Sequence, residues 1–290
     1  MKILITGGSG FVGGAFFAVN RDRFDIERFS FRQGWDTLSM DGIDAVVHFA
    51  AVVHQMNGAP EGLYEAVNVS KTVALAAKAK AAGVKQFVFM SSIKACGEES
   101  EAPYTERTDC FPQDAYGKSK WDAERQLAEL QDETFKIAIV RAPLVYGEGV
   151  KANMLNFIKL VDRFPVLPFG AIRNKRSMVY VGNLVYLIGE IIVQKQSGIF
   201  LAADGAPVST TELAENVAGA LEKKIRLISL PFFARLIRLV KPGLYRRLYK
   251  SLYVDNTLTV TTLRLENPYT FHEGICKTVE FYRAKRQLEV

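Results

Sequence analysis

The chain has 290 residues, 49% of them hydrophobic, enough to bury a full core in one large or two interleaved domains. Its formal net charge of +6 is concentrated in Lys223, Lys224, Arg226, Arg235, Arg238, Lys241, Arg246, Arg247 and Lys250, a stretch without one acid, while the remainder is slightly acidic. That pattern excludes a uniform nucleic-acid-binding surface and points to a local site for a dianionic ligand or to a membrane-facing patch.

In chain order, residues 2–6 (Lys-Ile-Leu-Ile-Thr) read as a buried strand that runs straight into a glycine turn, leaving no room for a signal peptide. The turn, Gly7-Gly8-Ser9-Gly10-Phe11-Val12-Gly13, opens an apolar helix reaching about Val19. Strand, glycine turn and helix form the first unit of a dinucleotide fold, in which backbone approaches a pyrophosphate at the positive helix N-terminus. The spacing is Gly-x-x-Gly-x-x-Gly rather than Gly-x-Gly-x-x-Gly.

A second strand is expected at 25–30. An acid at its end would accept from a ribose 2′-OH, whereas arginine there suits a 2′-phosphate. The sequence has Ser30-Phe31-Arg32, with Arg28 just before and no acid in place. NADP(H) is therefore favoured over NAD(H), the alternative being that Arg32 is a solvated loop charge. Residues 33–42 are too few for a full strand–helix excursion, so this corner reads as trimmed.

Residues 44–51 form another buried strand, ending in the small Ala50 and Ala51, where a ligand can come close. A helical period over 62–82 ends at Gly83, a C-cap. Residues 86–90 are strand again and deliver Ser91-Ser92 at its carboxyl end, where open α/β sheets bind ligands. Tyr116-Gly117-Lys118-Ser119-Lys120 then opens a helical run to about Leu130. At this spacing Tyr116 and Lys120 share one face, and an ammonium beside a phenol is expected to lower the phenol's pKa towards the working pH. The alternative for that pair is a chance meeting on a surface helix.

A strand at 136–141 leads into Pro143-Leu144-Val145-Tyr146-Gly147. Strands alternating with helices give an α/β fold with a doubly wound parallel sheet. Beyond Gly149 the alternation weakens. A helix is expected at 153–163, extended chain at 166–170 and 176–181, a helix from Gly182, a strand at 199–202 and a helix at 210–221 capped by Ser209 or Thr210. Residues 1–150 thus form a dinucleotide-binding domain to which 177–203 return, and 151–176 with 204–290 form a smaller, interleaved substrate domain. Residues 231–240 read as a lid helix packed on the core, with a membrane-surface amphipathic helix as the less favoured alternative. Residues 272–287 close the chain as a helix.

No run of about 18 apolar residues suggests a membrane span. Cys96, Cys110 and Cys276 are scattered and odd in number, without a CxxC pair, so neither a disulfide framework nor a zinc site is expected. A reducing cytoplasm fits best. His48, His54 and His272 lack metal-like partners and no metal is assigned; His54 follows a cofactor-side strand within reach of a substrate, but a structural role is favoured.

Thr6–Gly13, Ser91-Ser92, Tyr116/Lys120 and residues 141–147 stand in the order of the extended short-chain dehydrogenase/reductases, which the chain resembles over nearly its whole length. Within them it looks most like nucleotide-sugar epimerases and 4-ketoreductases of bacterial surface-polysaccharide synthesis. Ser91-Ser92-Ile93-Lys94, Leu167-Pro168-Phe169-Gly170-Ala171-Ile172 and residues 176–184 are most like the branch making N-acetylquinovosamine- or N-acetylfucosamine-type UDP sugars. The resemblance implies that Ser92 is the catalytic hydroxyl, Tyr116 the acid/base and Lys120 the ribose-holding lysine. It implies a cofactor site of Gly7, Ser9, Gly10, Phe11, Val12, Gly13, Ser30, Arg32, Ala50, Ala51, Pro143 and Val145, besides Tyr116 and Lys120. Asn153 and Arg176 would meet a substrate diphosphate and Phe169 its nucleotide base. A homodimer through helices including 115–130 is also implied.

Three departures bear on the reaction. Related dehydratases carry an Asp-Glu pair after the catalytic hydroxyl, and Ile93-Lys94 here cannot supply that acid. Glu148 and Asn183 replace a usual Pro and Asp, changes expected to affect packing. Cys96 replaces a tyrosine frequent in epimerases. The reading favoured on these grounds is NADPH-dependent reduction of a UDP-4-keto-6-deoxy-N-acetylhexosamine at C4. A UDP-sugar 4-epimerase using NAD, and a non-catalytic cofactor-binding protein, are the alternatives.

Overall fold

Apolar runs in the first half of the chain become the middle of one parallel sheet. The computed structural model describes residues 1–53 and 60–288, so His54 lies outside the described residues. The chain begins β1 (Lys2–Thr6), α1 (Phe11–Asn20), β2 (Asp25–Phe29), β3 (Ala45–His48), α2 (Glu61–Tyr64), α3 (Lys71–Ala81), β4 (Gln86–Ser92) and α4 (Ala115–Leu130). It continues through β5 (Lys136–Ala142), β6 (Leu144–Tyr146), α5 (Ala152–Arg163), β7 (Val166–Leu167), β8 (Met178–Tyr180), α6 (Val181–Val193) and β9 (Gly198–Leu201). It ends with α7 (Thr210–Ala220), β10 (Arg226–Leu227), α8 (Pro231–Val240), α9 (Pro242–Tyr249), α10 (Thr257–Leu263) and α11 (Phe271–Leu288).

Six strands pair in the order β2-β1-β3-β4-β5-β9, all parallel. Parallel strands put every carboxyl end on one edge, and the order reverses at β1, which has β2 on one side and β3 on the other. That reversal is where an open α/β sheet leaves a crevice. The trimmed corner is real: two short 3₁₀ turns, Phe31–Gln33 and Trp35–Thr37, stand where a helix and strand would otherwise fit. Because residues alternate across a strand, Ile3, Ile5, Val47, Val88 and Val140 join the core under one face. Leu4, Val46, Phe87, Phe89 and Ile139 join the core under the other. Each such side chain contributes about 1.5–3 kcal/mol of burial.

Two smaller pairs, β6 with β8 and β7 with β10, extend the fold beyond the main sheet. Ser209 caps α7 in a reciprocal capping box with Glu212, worth about 1 kcal/mol. Asn183, in the usual Asp position, donates to Asp204 Oδ1 (2.7 Å) and to the Tyr269 carbonyl (2.8 Å), and Glu148 accepts from the Tyr180 hydroxyl at 2.8 Å. Both departures act in packing.

Some expectations differ from the fold. The 62–82 run is not one regular helix: a π-helical turn, Glu65–Ser70, separates α2 from α3. The widened turn carries Asn68 inward, where Val52 N donates to its Oδ1 (2.8 Å) and its Nδ2 donates to Val52 O and Ser119 Oγ (both 3.0 Å). The 231–240 helix is followed by a second, α9, because Pro242 cannot continue one helix but starts the next well. Cys96 and Cys110, scattered in sequence, meet with their sulfurs 2.9 Å apart as hydrogen-bonded thiols. Among the described residues no helix is long and apolar enough to cross a membrane, and no His/Cys/Asp/Glu group is arranged to hold a metal.

Candidate active site

Glycine is required in the first turn by space. A Cβ on Gly7, which has φ +71°, would lie 2.6 Å from Ala50 N, and one on Gly13 would lie 2.4 Å from Gly7 O. Backbone from the ends of β1 and β3 therefore closes on itself around the N-terminus of α1. That helix start has no side-chain cap and no acid in its first turn, so its amides and partial positive charge face an anion. Ser9 and Gly10 are exposed on this loop, while Phe11 and Val12 pack against the core. The cradle fits a dinucleotide pyrophosphate. Ala50 and Ala51 follow β3, and Pro143 and Val145 follow β5, all on the same sheet edge.

At the end of β2, Ser30 forms a capping box with Gln33 and accepts from Arg32 N, so its hydroxyl is engaged within its own turn. Arg32 is exposed. Arg28 lies nearer the cradle: its stem packs 3.1 Å from the Cβ position of Gly8 and its guanidinium sits over the Phe17 ring at 4.5 Å. Glu27, Arg28 and Gln33 line a cavity of about 390 Å³ beside this strand end.

The predicted catalytic groups converge. Asp114 caps α4 by accepting from Gly117 N at 2.6 Å, and Gly117 leaves room for the turn after β4, since a Cβ there would lie 2.4 Å from Lys94 O. This close approach brings Tyr116 against the end of β4, where the Ser92 hydroxyl is near enough to its phenol to draw the phenol's pKa down. Lys120, one turn along α4, donates to Met90 O at 2.8 Å and lies over the Phe89 ring at 4.5 Å. Below them the buried Glu124 binds Arg141 of β5 (2.6 Å to Nη2) and accepts from Ser91, locking α4 to the sheet. Arg141 Nη1 is buried without a hydrogen-bond partner among the described residues.

The electrostatics correct one expectation. Tyr116 is not acidified: burial, then the Asp114 charge, push its phenol up to about 12, and only the neighbouring Ser92 hydroxyl opposes them. Lys120 is brought down to about 7, because burial outweighs the pull of Glu124. The pairwise reading saw the ammonium and the phenol but not that drying the site penalises both charges. His48 is held in the core between Thr6 Oγ1 (2.6 Å) and Thr72 Oγ1 (2.9 Å), and its burial depresses the pKa to about 3. Where a dehydratase would need its acid, Ile93 is buried and Lys94 is tied to Glu98 (2.7 Å) and to Asp114.

Asn153, Phe169 and Arg176 come together in the wall of a cavity of about 750 Å³. Leu144, beside Pro143 and Val145 in the chain, and Met178 of β8 join that wall, while α8 and α9 contribute Phe233, Ile237, Leu244 and Arg247. Phe169 is 2% exposed and stacked on Phe157 (5.7 Å between centroids, 13°), so it forms wall rather than a projecting platform. Arg176 is brought down to about 10 by burial and then by the neighbouring Arg247, which itself donates to Asn153 Oδ1 at 2.9 Å. Two guanidiniums facing one apolar cavity form a site for a dianion. Arg247 was visible in the sequence only as one of nine bases; Asn68 was visible only as a residue within a helical run.

A model of the NAD dependent epimerase/dehydratase family matches residues 32–200. Over 97% of its length the chain is 36% identical to a UDP-glucose 4-epimerase of Vibrio cholerae, covering 95% of that protein. It is 30% identical, over 98% of its length and 97% of the relative's, to the N-acetyl-alpha-D-glucosaminyl-diphospho-ditrans,octacis-undecaprenol 4-epimerase of Escherichia coli O157:H7. The fold matches a UDP-glucuronic acid 4-epimerase of Bacillus cereus solved in complex with NAD, with TM-score 0.78 and 17% identity over 98% of this chain and 99% of that one. With this fold, this cradle and these relatives, the chain is an enzyme and belongs to the NAD dependent epimerase/dehydratase family.

Proposed function

We propose that the enzyme carries out oxidation and reduction at C4 of a diphosphate-linked sugar, and that it inverts C4. The observation that carries this is the placing of Tyr116 beside Ser92, with Lys120 one turn on and bound to Met90 O of β4, at the sheet edge that also bears the glycine cradle. A bound nicotinamide cofactor supplies a reversible acceptor for two electrons and a hydrogen. Gly7, Gly10 and Gly13 would hold its pyrophosphate and Lys120 its ribose; Ala50, Ala51, Pro143 and Val145 lie along the same edge. Tyr116 Oη gives its proton to the C4 oxygen on reduction and, as phenolate, takes it back from the 4-hydroxyl on oxidation. Burial holds the phenol protonated in the ligand-free site, and the positive charge of a bound oxidised cofactor would favour the phenolate. Ser92 holds the same oxygen by a hydrogen bond as charge develops on it. Arg176 and Arg247 grip the diphosphate, with Asn153 at their side, so that one carbon is presented to Tyr116 whichever face is turned to it.

Inversion is put ahead of one-way reduction because both relatives described above are named 4-epimerases. A specific observation favours the other reading. No acid stands at the end of β2, and Arg28 and Arg32 are placed there instead, which suits NADP(H) and net reduction of a UDP-4-keto-6-deoxy-N-acetylhexosamine. One assay separates them. Interconversion of C4 epimers without net cofactor turnover is expected; stoichiometric NADPH consumption with a 4-keto sugar would replace inversion by reduction. We place the reaction in the cytoplasm, as the thiols of Cys96 and Cys110 suggest, and propose a homodimer through α4.

A further inference from the structure

The basic segment does more than line the cavity. Arg246 and Lys250 are paired with Glu98 and Glu99, and Lys223 with Asp162. Arg235 and Arg238 of α8 make no ion pair among the described residues, and both are exposed. Beside them on α8 runs a solvent-facing apolar stripe: Phe232 is 79% exposed, Leu236 57%, Leu239 83% and Val240 67%. These positions are i, i+4, i+7 and i+8, one face of a helix. At 3.6 residues per turn, Arg235 and Arg238 border the stripe on one side, while Phe233 and Ile237, which wall the large cavity, border it on the other. Leu230 and Leu244 extend the apolar surface at either end.

We propose that α8 docks on an anionic phospholipid bilayer, its stripe entering the interface and Arg235 and Arg238 resting among the headgroups. Large apolar side chains on one face, with arginines beside them and no acid from 223 to 250, are the makings of an interfacial helix. A second copy is the poorer occupant. An isologous contact through this face would bring the same arginines of two subunits together with no acid on the helix to meet them. Docking would set the α8–α9 wall of the cavity at the membrane surface. It does not depend on which C4 reaction the site performs.

The test is co-sedimentation of the full chain with vesicles of phosphatidylcholine alone and of phosphatidylcholine containing one third phosphatidylglycerol. At least about tenfold tighter binding to the anionic vesicles is expected, weakening as salt is raised. A Leu236→Glu/Leu239→Glu variant and, separately, an Arg235→Glu/Arg238→Glu variant should each lose about tenfold or more, with unchanged circular dichroism since all four side chains are exposed. Wild-type protein that stays in the supernatant with anionic vesicles would overturn the proposal. So would either folded variant binding like wild type, or a dimer of the wild type that the leucine variant splits while neither form binds vesicles.

Discussion

The hydroxyl of Ser92, at the end of β4, lies beside the phenol of Tyr116, in the first turn of α4, near enough to draw its pKa down. A single ligand oxygen can therefore meet both. Replacing Tyr116 by Phe removes the proposed proton carrier and keeps the ring that packs edge-on against Tyr64, 6.3 Å away. A Tyr116→Phe variant should lose about 10²–10⁴ in kcat, with substrate binding by calorimetry little changed. Turnover near wild type would remove Tyr116 from the chemistry.

Lys120 carries a stability signature. Its folded pKa, about 7, lies below the ordinary lysine value, so between pH 7 and about 10 the unfolded chain binds more protons than the folded one. The sign follows: stability rises with pH across that window, and the cost of burying the ammonium is fully present below pH 7. Relative to Lys120→Met, the ligand-free wild type should gain roughly 2 kcal/mol between pH 7 and pH 9. Chemical denaturation of both proteins at each pH measures this; parallel profiles would contradict it.

Glu124 and Arg141 are a buried pair, 2% and 1% exposed at the side chain. A Glu124→Ala change leaves the guanidinium uncompensated and Ser91 without its acceptor. A loss of about 3–5 kcal/mol is expected in denaturant unfolding, far more than from any exposed pair such as Arg283–Glu222.

The two guanidiniums in the cavity wall predict a split in kinetics. On the proposed reading Arg247 binds the diphosphate in ground and transition states alike, so Arg247→Ala should raise KM about 10- to 100-fold with kcat within a few fold. A fall in kcat at unchanged KM would assign Arg247 to the chemistry instead.

Much of this was legible in the sequence, for reasons that differ by region. Strands such as Leu4–Ile5 and Val46–Val47 are apolar on both faces, and only a sheet covered on both sides accommodates that. Gly7 and Gly13 announced a tight approach of backbone to backbone. The lid was harder: α9 is short, and which face it presents depends on a cavity assembled from residues far apart in the chain. The Tyr116 pKa was misread because i, i+4 spacing reports neighbours, not burial. The widened turn at Asn68 has no local signal, since its partners Val52 and Ser119 come from other elements.

The most direct test of the central claim follows one hydrogen. A UDP-sugar deuterated at C4 is incubated with the enzyme and catalytic amounts of cofactor, and the product is read by NMR. C4 chemistry by removal and return of a hydride predicts an inverted C4 that keeps its deuterium, with no label entering from heavy water when the unlabelled sugar is used. Inversion with solvent hydrogen at C4, or no reaction at C4 by a folded, cofactor-bound enzyme with any diphosphate-linked sugar, would contradict the account.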